Sequence, residues 1–411
     1  MKMSGVHRPY LPATIAVAVV ALVGLALDSS CAVDGFVLVD GAAGSPSATA
    51  STSGTAGASE GGAGGAAACV HETWPAPPAS ADPGTNSVDF VVAARSFDFG
   101  NGDLSEGPAV GYDLDNLCSC QGQDFSCREP AWATADHCDG PGGRDNAIAQ
   151  LFHQIGMFDD DFTSAHYTES AELGRNTILI RVRNYNGRAN DDQITVSVHP
   201  SQGLDEEPCL ATGTVPAWDG TDPWPIHANS LEVEPGTGGS GAGGGPACGN
   251  NGYDPDAARY VDDNAYVTEG VMVANLPRLS LAFIADSEPI PVELVAGFVT
   301  GRLEQQGTQW YVREGLVVGR WEVTEFFRMI GNTSDGGPLC TNHDLYPLLK
   351  SAACQFPDIA AQLSGPTTPC DAYSFGMAFE GHPALFGSVL PPVSTESPCA
   401  PDVDPQYDTC G

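Results

Sequence analysis

Oxygen donors are the side chains in this sequence best spaced to do chemistry. Asp113, Asp115 and Asn116 follow Gly111 in one short loop. Asn190, Asp191 and Asp192 form a second group, and Asp254, Asp256, Asp262 and Asp263 a third. Hard oxygen ligands this close together suit Ca²⁺. None reproduces an EF-hand: Asp113 and Asp115 lack its mid-loop glycine and its closing glutamate. The Gly111–Asn116 loop is the preferred place for a structural calcium ion, with Asp113, Asp115 and Asn116 as ligands.

Catalytic patterns carry less weight. The nine histidines form no H-E-x-x-H, the helix-borne pair of a zinc protease. Gly57-Ala58-Ser59-Glu60-Gly61 satisfies G-x-S-x-G, but in a tract with no strand-to-helix elbow. Gly236-Thr237-Gly238-Gly239-Ser240-Gly241 satisfies G-x-G-x-x-G without the strand before it or helix after it that a dinucleotide site needs. A glycosidase carboxylate pair would have to be chosen from 52 acidic residues, and spacing does not choose. No catalytic residue is assigned. Trp218 and Trp224 lie among prolines. Such tryptophans can line a sugar-binding face, but more often cover the edge of a core, and that reading is preferred.

Cys118, Cys120, Cys127 and Cys138 follow the Asp113 loop within 21 residues. Their spacings, C-x-C, C-x6-C and C-x10-C, lack the paired C-x2-C knuckles of zinc ribbons. Disulfides are the expectation for an exported chain, and His137 reads as a surface loop residue. The cysteine total is 13, an odd number. Setting Cys31 aside leaves Cys69, Cys118, Cys120, Cys127, Cys138, Cys209, Cys248, Cys340, Cys354, Cys370, Cys399 and Cys410, which can pair completely.

The elements that must hold these groups are mostly strands. Val88, Phe90 and Val92 open one. Asp145 and Asn146 are good N-caps for a helix whose apolar face is Ile148, Leu151, Phe152 and Ile155, ended by Gly156. An acidic turn, Phe158 to Phe162, follows. Alternating residues at 178–183 and 194–198 flank Asn186-Gly187, a strong hairpin signal. Further strands are expected at 271–274, 279–284, 292–300 and 310–318, the last split into a hairpin by Glu314-Gly315. Val323, Phe326, Phe327 and Ile330 mark a helix face, Leu345, Leu348 and Leu349 a shorter one, and Tyr373–Phe379 a returning strand. The class is mainly β: a sandwich or jelly-roll-like body, disulfide-stapled, with a few short helices near 145–155 and 321–352.

The totals narrow function. A formal charge of -36, with only Lys2 and Lys350 as lysines, offers no basic footprint for nucleic acid. Lys2 and Arg8 precede an apolar run from Leu11 to Leu27, the pattern of an export signal. Cys31 lies just beyond it and is followed by a Gly-Ala-Ser-Thr tract. That order resembles a bacterial lipoprotein signal with Cys31 lipidated, although Asp28 stands where the signal favours an aliphatic residue. The chain divides into an export signal (1–30), a flexible tether (31–68), a β-rich region with the Cys-rich loop and a short helix (69–235), a Gly-rich linker or loop (236–246), and a β-rich region with short helices and a Cys-rich tail (247–411).

The tether composition, Gly111-Tyr112-Asp113-Leu114-Asp115-Asn116 with Cys118 and Cys120, Gly143-Arg144-Asp145-Asn146, and Cys370-Asp371-Ala372-Tyr373-Ser374 together resemble uncharacterised secreted surface lipoproteins of myxobacterial type. The resemblance brings no catalytic residues. It implies an exported, anchored, disulfide-bonded protein of the outer membrane or cell surface, otherwise periplasmic or secreted. The expected role is non-enzymatic binding or structure. The membrane is its partner through the amino-terminal lipid, a glycan or envelope protein its ligand, and nucleic acid is excluded. The alternative is a secreted carbohydrate-active or other hydrolytic enzyme.

Overall fold

Eight antiparallel strands close into a barrel. The structure is a computed structural model that describes residues 69–410 apart from 106, 134–136, 157–162, 233–247, 286–287, 333–337 and 393–396. The export signal, Cys31, the tether, the Gly-rich 236–246 tract and the 158–162 turn therefore lie outside the described residues.

The strands are β1 (Val88–Asp98), β2 (Thr177–Tyr185), β3 (Asp191–Ser201), β4 (Pro223–His227), β5 (Val261–Thr268), β6 (Val271–Ala285), β7 (Glu288–Gln306), β8 (Gln309–Glu322) and β9 (Ala372–Leu390). Their order is β1-β2-β3-β5-β6-β7-β8-β9, with β9 pairing back to β1. That last pairing, Phe97 opposite Phe379 and Ala93 opposite His382, corrects the sandwich or jelly-roll expectation. Inward and outward residues alternate along a strand in both architectures. Only the partner of the first strand distinguishes them. β4 adds outside the barrel, parallel to the last residues of β9. Strands on both sides of residues 236–246 thus build one barrel.

Closure leaves no free sheet edge, and an eight-stranded barrel is narrow enough for side chains to fill it. Val92, Ile180, Val196, Met272, Val317 and Phe375 meet inside in a continuous apolar core. Helices α1 (Ala147–Gly156), α2 (Ser164–Glu172) and α3 (Val323–Asn332) pack on that core, and α4 (Tyr346–Ala353) follows in the chain. Phe99 meets Phe152, Tyr167 and Phe375 edge-on at 5.0 to 6.1 Å. A second core on the outer face of β1 and β2 contains Leu204, Trp224, Ile226 and Val389. Trp224 is fully buried there, so it covers a core, and its partner Trp218 stays partly open.

Two turn readings come out differently. Asn186-Gly187 does join β2 to β3. Glu314-Gly315 does not make a hairpin: β8 runs through it with a register shift between Val312 and Gly315, and Glu314 takes φ 50°. The turn between β7 and β8 is Gly307-Thr308, where glycine carries the positive φ at no steric cost.

All twelve described cysteines are paired: Cys69–Cys118, Cys120–Cys138, Cys127–Cys370, Cys209–Cys248, Cys340–Cys399 and Cys354–Cys410. The first three tie the 111–146 segment to itself, to the segment before it and to the residues just ahead of β9.

Candidate metal centre

The 111–146 segment folds as a cap on the outer face of β7, β8 and β9. Trp74 stacks on Phe298 at 3.7 Å and meets Tyr112 edge-on. The Tyr112 hydroxyl reaches Thr300 Oγ1 at 3.1 Å. Asn146 fastens the cap to the barrel. Its Nδ2 donates to the carbonyls of Phe99, Val110 and Gly376, and its Oδ1 accepts from the Gly376 and Ala149 amides. The last of these is the N-cap bond expected of this residue. Gly376 permits the approach, because a Cβ there would sit 2.8 Å from the Val110 carbonyl oxygen.

With Asn146 as the cap, the Asp145 carboxylate turns the other way. It accepts from the Leu114 amide at 2.6 Å and brings an oxygen within 4.8 Å of oxygens on both Asp113 and Asp115. Asp113 in turn accepts from the amides of Asn116, at 2.6 Å, and Asp115, and Asp115 from Leu117. Asp139 accepts from the Ser119 amide at 2.6 Å. Asp358 accepts from the Ser374 amide at 2.8 Å and its hydroxyl at 2.5 Å. Five carboxylates therefore converge, on short polar loops pinned by disulfides.

Their electrostatics are unfavourable as they stand. Burial, followed by the charges of Asp115, Asp139 and Asp358, pushes Asp145 well above the usual carboxylate range. Burial raises Asp139 to about 7, with Asp115 and Asp358 adding to it, and raises Asp358 to about 6. Asp115 is also raised, by burial first. Asp139 comes close to Asp145, and Asp115 to Asp113. Carboxylates this near repel each other unless a proton or a cation stands between them.

Arg320 and two histidines line the cluster. The Arg320 guanidinium lies under the cluster and feels Asp145, Asp115 and Asp358. Its two terminal nitrogens are spent on the carbonyls of Leu114 and Ala361, and its buried Nε has no hydrogen-bond partner. His71 Nδ1 pairs closely with Asp113. His137 is buried, which corrects its reading as a surface residue. Its Nδ1 meets Glu129 and its Nε2 the Gln355 carbonyl, each at 2.5 Å. Ser126 Oγ, buried beside Asp115, completes no hydrogen bond of good geometry.

Oxygens mutually within 4.8 Å can surround one cation, since Ca²⁺ holds oxygen at about 2.3–2.6 Å and the far sides of its shell are twice that apart. Asp113 and Asp115, close in sequence, also bring oxygens within 4.8 Å of each other. Asn116 is exposed, with left-handed backbone at φ 62°, and its amide serves Asp113. Local spacing does not point to Asp145, Asp139 or Asp358 as members of the cluster: Asp145 reads as a helix cap, and nothing in the local sequence of Asp139 or Asp358 announces their partners.

The neighbouring possibilities do other work. Cys69, His71 and Cys118 also converge, but the two sulfurs are bonded to each other and a disulfide is not a thiolate ligand. Asp191 accepts from the Asn186 amide, Asp262 from those of Asn264 and Asn275, and Asp256 pairs with Arg181. These acids cap turns and neutralise arginine. The crevice lined by His137, Asp139, Asn146 and Asp358 has no room for a water-sized molecule. The chain matches no protein-family model, no curated protein and no solved structure.

Proposed function

We propose that this chain is an exported cell-envelope protein, tethered through a lipid on Cys31, with a non-enzymatic binding or structural role, and that a calcium ion closes its acidic cap. The observation that carries the proposal is the convergence of Asp113, Asp115 and Asp145 inside a cap pinned by Cys69–Cys118, Cys120–Cys138 and Cys127–Cys370. Burying several carboxylates side by side costs folding energy unless protons or a cation offset it. A divalent ion removes the need for shared protons and takes oxygens from both ends of the 111–146 segment. Ser126 Oγ stands ready as a neutral ligand of the kind calcium accepts.

Twelve paired cysteines fit an oxidising compartment, and they leave Cys31 as the odd one. The resemblance to myxobacterial surface lipoproteins points the same way. A hydrolytic role at this cluster fits less well. A glycosidase needs substrate, and at some step water, between its carboxylates, and the crevice reaching Asp139 and Asp358 is too tight for either.

Two measurements test the proposal. Calorimetric titration of Ca²⁺ into chelator-treated full chain should show one site, with protons released on binding; absence of binding at millimolar Ca²⁺ sinks the cation. Metabolic labelling with a radioactive fatty acid in a bacterial host should mark the chain and not its Cys31→Ala variant. An unlabelled chain sinks the anchor and leaves the cation untouched.

A further inference from the structure

Away from the cap, the outer face of β1, β8 and β9 carries a row of rings. Trp218 meets His382 at 5.9 Å between centroids, and His382 meets Tyr311 at 5.4 Å. All three are partly exposed. Each outer ring has a guanidinium over it: Arg95 is 5.7 Å from the Trp218 centroid and Arg313 is 4.7 Å from that of Tyr311. Burial and those two arginines lower His382, so its ring is uncharged at neutral pH.

Trp218 is held there against its own backbone preference. Its φ is 57°, a left-handed conformation that bulky L residues avoid. Asp222 enforces it by accepting from the amides of Ala217 at 2.8 Å and Trp218 at 2.7 Å. Gln309 Nε2 donates to the Asp219 carbonyl and ties the same loop to β8. A tryptophan needed only to cover Trp224 could do so from an unstrained turn. Strain retained at a half-exposed aromatic residue points to what that residue presents to solvent.

The charges choose the ligand. Arg95 is paired with Glu172, and Arg313 with Glu304 and Glu380 at 3.2 and 2.9 Å. The row thus offers two cations and three carboxylates, nearly balanced, on a chain of formal charge -36. An anionic polymer is repelled, and a basic one finds its acidic partners already engaged. What remains is a neutral ligand with flat apolar faces and edges that both donate and accept hydrogen bonds.

We infer that Trp218, His382 and Tyr311 form a docking strip for a neutral polysaccharide. Sugar C–H faces pack on the parts of these rings that Arg95 and Arg313 leave open, and sugar hydroxyls add hydrogen bonds to the Arg95–Glu172 and Arg313–Glu380 pairs without displacing either partner. The inference names the ligand of the binding role proposed above and rests on that reading, but it uses none of the cap residues.

The test is affinity electrophoresis of the full chain in gels containing cellulose derivative, soluble chitin, xylan or amylose, at millimolar Ca²⁺. At least one should retard the chain. Trp218→Ala and Tyr311→Ala should each weaken retardation about tenfold, a loss of one decade in Kd, while melting as cooperatively as the parent. Should Trp218→Ala fail to fold, Trp218→Phe, which keeps a ring, should retain most of the binding, and Tyr311→Ala carries the loss. No retardation in any of the four gels overturns the inference, as does unchanged retardation of folded Trp218→Ala and Tyr311→Ala. Polylysine binding without polysaccharide binding also overturns it and assigns the face to a basic polypeptide. Repeating the gels in chelator separates the two readings. Retardation by polysaccharide in a chain whose melting ignores calcium defeats the calcium cap alone; calcium-dependent melting without retardation defeats the strip alone.

Discussion

The barrel interior and the acidic cap are built on opposite principles. Inside the barrel, Val92, Ile180, Val196 and Phe375 need only be apolar and of fitting size, and each fully buried side chain of this kind contributes about 1.5–3 kcal/mol without directional requirements. In the cap, each stabilising contact has a named partner: Asp145 with the Leu114 amide, Asp139 with that of Ser119, Asn146 with Gly376. The barrel stands on its own atoms. The cap buries several carboxylates beside one guanidinium, Arg320, and is held by disulfides and by the Asn146 joint; the proposed cation would complete it.

That contrast can be broken by substitution. The largest effect is expected from Phe375→Ala. It should cost about 3–5 kcal/mol and lower stability by the same amount in chelator and in calcium, because the cavity lies in the barrel. A loss confined to the calcium condition would mean that barrel and cap are not separable. Asn146→Ala should follow at about 2–4 kcal/mol, since it leaves buried carbonyls and the Gly376 amide without partners. Because it unfastens the cap, it should also diminish the calcium response, as urea melts in both conditions would read. Retention of the full response would show that the cap organises itself without this joint.

Acidity sharpens the comparison with a smaller effect. Asp139 and Asp358 sit at about 7 and about 6 in the folded chain, above the ordinary 3.8. Between those values the folded state binds more protons than the unfolded one, so their contribution favours folding at low pH and is lost as pH rises. In chelator, stability should therefore decline from about pH 4 toward pH 7, and Asp139→Asn should flatten that decline. In calcium the trend should shrink, and calcium affinity should rise with pH as protons cease to compete. A chelator profile that rises over this range, or is unchanged in Asp139→Asn, would show that these carboxyls do not hold protons in the fold.

The same contrast explains what could be read without coordinates. Local signals were legible: the Asn186-Gly187 hairpin, the Ile148-Leu151-Phe152 helix face, Asn146 as a cap, and the closeness of Asp113 to Asp115. Each depends on residues a few positions apart. Barrel closure was not legible, because it rests on Phe97 finding Phe379, and alternation within either strand is the same in a sandwich. Nor was the full acidic cluster, because Asp358, which Ser374 of β9 holds in place, lies far along the chain from the Asp139 and Asp145 it faces. Glu314-Gly315 misled because a bulge and a turn favour the same residue types. His137 misled because a histidine in a polar loop gives no sign that Glu129 and Gln355 enclose it.

The most direct measurement is a thermal melt of the full chain at pH 7 in chelator, in millimolar Ca²⁺ and in NaCl of matched ionic strength, alongside Asp145→Asn. The calcium cap predicts a higher melting temperature in Ca²⁺ alone, equivalent to about 2.7 kcal/mol when the ion is at a hundredfold its Kd, and no such rise in Asp145→Asn. Equal melting temperatures in Ca²⁺ and NaCl, or an undiminished rise in the variant, would contradict it and leave a cap that holds together without a cation.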